Sequence, residues 1–125
     1  MLSAAIGRYA HTAALLDGAV SAPGLRLECA EVPVISRAFA PMVREGRYAI
    51  SEMAIATWLQ AREHDKGLVL LPWALAARFQ DSAMLCRADA PLAPGALAGK
   101  RVGVRAYSQT TGMWLRRIRP AEHRT

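Results

Sequence analysis

The chain has 125 residues, enough for one modest domain, and its 53% hydrophobic and 21% charged content excludes a disordered or low-complexity protein. Its longest apolar stretch, Gly67 to Ala77, is interrupted by Pro72 and falls short of the roughly 20 residues of a membrane span, so no membrane partner is expected. The net charge is +6, but Arg116, Arg117, Arg119 and Arg124 crowd the last ten residues, so the surplus reads as a solvated basic tail. No basic helix with interleaved aromatics and no zinc-finger spacing accompanies it, which argues against a nucleic-acid partner. Leu2 to Gly7 predicts a first strand, and His11 to Asp17, closed by Gly18, a short helix or turn. Ser21 to Gly24 has strong turn chemistry. Leu25, Leu27 and Cys29, and then Val32, alternate with Arg26, Glu28 and Glu31 as in a half-buried strand. Ala38, Phe39, Met42 and Val43 lie at helical spacing within Ile35 to Glu45, and Gly46 ends that helix.

Tyr48 to Ile50 reads as a short strand. Ser51 then stands as the N-cap of a helix running to about Asp65, with Glu52 in its first turn. Strands are expected at Leu68 to Leu75, Ser82 to Arg87 and Arg101 to Arg105, and a helix at Thr110 to Ile118 capped by Ser108 or Thr110. Strand alternating with helix predicts an α/β domain with a mostly parallel sheet flanked by helices. Cys29 and Cys86 sit in apolar runs outside any CxxC or Cys/His cluster and read as two buried, reduced thiols. Trp58, Trp73 and Trp114 read as core or domain-contact residues. The first residues lack a basic secretory leader, so the expected location is the cytoplasm.

Ligands of open α/β sheets lie beyond the carboxyl ends of the strands. That rule selects Arg8 to Thr12, Ser51 to Met53, the turn holding Arg78, Phe79 and Ser82, and Tyr107 to Thr111. Two of these segments open expected helices, where free backbone N–H groups beside Ser or Thr hydroxyls suit a carboxylate. Each residue also has a plain structural role: Ser51 and Ser108 as N-caps, Glu52 on the helix dipole, His11 bonded within its turn, Arg78 at the surface.

Tyr9-x-His11-Thr12, Leu15-Leu16-Asp17-Gly18, Ser51-Glu52-Met53, Leu97 to Val104, and Tyr107-x-x-Thr110 with Trp114-x-Arg116 together resemble the 4,5-dihydroxyphthalate decarboxylase family. That family is similar to two-lobed type II periplasmic-binding proteins. The resemblance covers residues 1–118 as the first lobe, with 119–125 a basic tail that departs from the pattern, which implies a C-terminally truncated copy. It implies a carboxy-lyase of aromatic-compound degradation that converts 4,5-dihydroxyphthalate to protocatechuate and CO2 without an organic cofactor. His11 and Glu52 would trade protons, and Tyr9, Ser51, Arg78, Tyr107, Ser108 and Thr110 would hold the small anionic aromatic ligand. His11 with Glu52 is too thin a ligand set to predict a metal. The alternative is a solute-binding lobe for an anionic or aromatic ligand without chemistry. The exposed face of a lone lobe would favour self-association.

Overall fold

The central strand is β1 (Leu2–Ala5), paired in parallel on one side with β2 (Leu27–Cys29) and on the other with β3 (Ile50–Ser51). In this computed structural model, residues 1–77, 79–80, 83–93 and 95–121 are described, with only the backbone for 118–121. Leu2, Ser3 and Ala4 stand opposite Leu27, Glu28 and Cys29, while Ala4 and Ala5 face Ile50 and Ser51. Parallel pairing obliges each connection to cross back over the sheet, and helices occupy the crossovers. α1 (Ala13–Leu16) lies between β1 and β2; α2 (Phe39–Glu45), led in by a 3-10 turn at Ile35–Ala38, lies between β2 and β3; α3 (Ile55–Glu63) follows β3. The result is a small α/β arrangement with an open, all-parallel sheet, the class expected from the sequence and consistent with one lobe of an α/β fold.

Residues 1–72 and 73–125 form two separate units. The interior of the first is made of alanines: Ala4, Ala5, Ala38, Ala56 and Ala61 are each at most 3% exposed. Such small side chains bury little apolar area per residue. α2 stops where expected: Gly46 adopts a left-handed conformation (φ 59°, ψ 35°), and its N–H reaches Met42 O at 3.1 Å.

Several expectations are corrected. Ser51 is not an N-cap and Glu52 is not in a first helical turn, because β3 runs through Ser51 and the Glu52 N–H continues the pairing onto Ala5 O at 2.8 Å. A ladder bond to the central strand overrides the weaker local helix preference. α3 therefore starts later, after an extended Ala54. The described residues of Leu68–Leu75, Ser82–Arg87 and Arg101–Arg105 form no strand; Ser82 itself lies outside the described residues. Val69 (85% exposed) and Leu85 (93%) show the reason: an apolar run becomes a strand only where it finds a ladder partner, and among the described residues these runs have none. Cys86 is exposed and Cys29 half-buried. Trp73 and Trp114 are exposed as well, so neither belongs to a core.

In the second unit, α4 (Thr110–Ala121) has its first backbone bond from Met113 N–H to Gln109 O at 3.0 Å. Gln109 thus occupies the cap position, between the two residues expected to fill it. Among the described residues, no helix is long and apolar enough to cross a membrane.

Candidate functional site at the carboxyl ends of β1 and β3

From β1 the chain leaves to β2 on one side and later returns to β3 on the other, so the strand order reverses at β1. Open α/β sheets bind ligands beyond such a point. The segment leaving β1 is held in a tight turn by Thr12, which is 4% exposed. Its Oγ1 accepts from the Tyr9 N–H at 2.8 Å and donates to Gly7 O at 2.7 Å. One hydroxyl thereby satisfies a donor and an acceptor that burial would otherwise leave unpaired. We expect Thr12→Val, which keeps the shape and removes the hydroxyl, to cost about 1–3 kcal/mol in urea unfolding, while Thr12→Ser costs much less.

The turn presents Tyr9 and His11 to the end of β3. The Tyr9 hydroxyl donates to Glu52 Oε1 at 2.7 Å, and Glu52 Oε2 accepts from the Gly7 N–H at 3.1 Å. The carboxylate of one strand end is therefore clamped by the backbone and side chain of the other. The rings of Tyr9 and His11 stack, with centroids 5.4 Å apart and planes 12° from parallel. Burial, together with the hydrogen bond to Glu52 and its negative charge, pushes the Tyr9 phenol from 10.0 up to about 12. Tyr9 is thus a donor, not a base, at any ordinary pH.

Two cavities open between the ends of β1 and β2. One, of ≈ 500 Å3, is lined by Gly7, Arg8 and Tyr9 from the segment leaving β1 and by Glu31, Val32, Pro33 and Ile35 from the segment leaving β2. The second, of ≈ 330 Å3, shares Arg8, Glu31 and Val32 with it. A single Arg8 guanidinium nitrogen lies 2.8 Å from both oxygens of Asp17, in an exposed ion pair.

Of the residues selected from the sequence, Tyr9, His11 and Glu52 stand together. Ser51 lies at the end of β3 with its hydroxyl donating to Glu52 O at 2.9 Å, so the helix start on which its anion-binding role rested is not there. Tyr107, Ser108 and Thr110 belong to the second unit, where the Arg116 guanidinium lies 3.9 Å from the centre of the Tyr107 ring. Arg78 lies outside the described residues. Arg8 was selected from the sequence within the segment after the first strand, whereas Gly7, whose N–H bonds Glu52, and Glu31, which lines both cavities, were not. Gly7 ends the expected first strand, and nothing local marks Glu31. Among the described residues, no three His, Cys, Asp or Glu side chains cluster as a metal site would require.

No family model matches the chain, and no solved structure matches it. Among curated proteins, the 4,5-dihydroxyphthalate decarboxylase of Comamonas testosteroni is 29% identical over 128 aligned residues, covering 98% of this chain and 37% of that protein. The chain thus spans little more than a third of the length of that relative, and its similarity to a decarboxylase is distant but extends along nearly all its residues.

Proposed function

We propose that this chain provides part of a decarboxylase-like site for an aromatic dicarboxylate, with 4,5-dihydroxyphthalate going to 3,4-dihydroxybenzoate and CO2. The observation that carries this reading is the joining of Tyr9, His11 and Glu52 at the β1 and β3 ends, in a chain distantly similar to such a decarboxylase. Each ring hydroxyl of this substrate is para to a carboxylate. Loss of the hydroxyl proton pushes density onto the carbon bearing that carboxylate. That carbon takes a proton, the bond to the carboxylate breaks, its electron pair restores the aromatic ring and returns the charge to the phenolate oxygen, CO2 leaves, and the phenolate takes a proton back. One proton is removed and two are given, with the difference drawn from solvent, so the protein needs a group that trades protons. His11 is the exposed imidazole at the rim and fills that role. Glu52, with both oxygens engaged, fixes Tyr9 and through the ring stack orients His11.

The same engagement of Glu52 favours a second reading, a binding lobe without chemistry, because a carboxylate tied up by its own protein is not free to move substrate protons. Incubating the purified protein with 4,5-dihydroxyphthalate separates the two. Product above background, lowered about a hundredfold or more by His11→Ala, supports catalysis. A ligand-dependent rise in melting temperature without product supports binding alone. Neither response overturns both.

A further inference from the structure

We propose that the ≈ 500 Å3 cavity beside β1 takes a hydroxylated aromatic carboxylate, with Arg8 exchanging Asp17 for the ligand carboxylate and Glu31 accepting from a ring hydroxyl. This rests on the aromatic-acid reading above and names the residues that would select the ligand.

Arg8 borders both cavities, and its present partner is cheap to leave. The side chains of Arg8 and Asp17 are 60% and 54% exposed, and ion pairs this open to water contribute little. A planar carboxylate entering the cavity offers the guanidinium the same kind of acceptor, with bidentate geometry available. Glu31 faces the same space and has no ion pair among the described residues. An ionised carboxylate can only accept, so it repels a second carboxylate and welcomes a hydroxyl. Val32, Pro33 and Ile35 line the space with apolar surface for the ring, and Tyr9 borders it as well. The two charged groups thus sort the ligand by chemistry: Arg8 suits its acid and Glu31 its hydroxyl.

Calorimetric titration of the whole chain with 3,4-dihydroxybenzoate, benzoate and catechol tests this. Arg8→Gln is expected to weaken both acids about tenfold and leave catechol unchanged, since a hydrogen bond to a charged group is lost only with the acids. Glu31→Gln is expected to weaken 3,4-dihydroxybenzoate and catechol and to spare benzoate. Asp17→Asn, which frees Arg8, is expected to tighten both acids about threefold. Binding of 3,4-dihydroxybenzoate that neither Arg8→Gln nor Glu31→Gln alters overturns this assignment and leaves the aromatic-acid reading standing. An Asp17→Asn variant that weakens acids as Arg8→Gln does also overturns it, because the pair then serves only the fold. No binding of 3,4-dihydroxybenzoate to the wild-type chain overturns both.

Discussion

Glu52→Ala is expected to lower folding stability by about 2 kcal/mol and to bring the Tyr9 phenol partway down from about 12. The stability loss follows from the two bonds the carboxylate makes. Removing it strands the Gly7 N–H and the Tyr9 hydroxyl, both part-buried, and an unpaired buried donor costs about 1–3 kcal/mol. The fall of the phenol is only partial because burial, its largest cause, survives the substitution, while the hydrogen bond and the negative charge do not. In the wild-type protein the folded phenol lies above its unfolded value of 10.0, so the folded state holds its proton longer. Stability from this source is therefore whole below pH 10 and is lost as pH rises from 10 to about 12. In Glu52→Ala that alkaline window narrows. Ultraviolet titration of tyrosinate, read beside urea unfolding at several pH values, checks both parts. An unchanged high titration in Glu52→Ala would remove the carboxylate from the account.

Gly7→Ala is expected to undo the same arrangement from the other strand end. A Cβ placed on Gly7 would sit 2.7 Å from Cζ and Oη of Tyr9 and 2.8 Å from its Cε2, far inside the usual ~3.5–4 Å carbon contact. The backbone there tolerates a side chain, since Gly7 is not among the residues with positive φ. The ring must give way, and when it swings it loses its burial, the bond to Glu52 and the stack on His11 together. The Tyr9 phenol is therefore expected to fall further in Gly7→Ala than in Glu52→Ala, close to its ordinary 10.0. The bonds lost outweigh the roughly 0.4–1 kcal/mol that Gly→Ala gains from a stiffer unfolded chain, for a net loss of about 1 kcal/mol. Gly67→Ala is the control: nothing stands within 4 Å of its Cβ, and it is expected to be neutral or slightly stabilising.

The comparison of sequence with structure divides near the middle of the chain. β1, α1, β2 and α2 were legible because their signals are local: an apolar run ending in Gly7, alternation around Leu27, and the left-handed stop at Gly46. The end of β3 was not, because Ser51 and Glu52 look locally like a helix start and are kept extended by pairing to Ala5. Beyond Leu68 the expected strands failed for the same reason in reverse, apolar composition without a ladder to join. At the site, Tyr9, His11 and Glu52 could be named from their places after strands. The Thr12 latch is a local turn whose bonds span only three and five residues, whereas the shared border of Arg8 and Glu31 arises only when segments well apart in sequence are brought together.

The alanine interior described above bears on which mutations the first unit can absorb. Among the described residues every apolar side chain that is shut away from water is already the smallest that has a Cβ. Truncation, the commonest route by which buried positions fail, is almost closed to it: only a change to glycine can shorten anything there. Damage must instead come by enlargement, as at Ala4 or Ala5 in the central strand, where both side chains are already fully shut away from water. A saturation-mutagenesis survey of these five positions would then show an inverted profile, with tolerance falling steadily as the introduced residue grows.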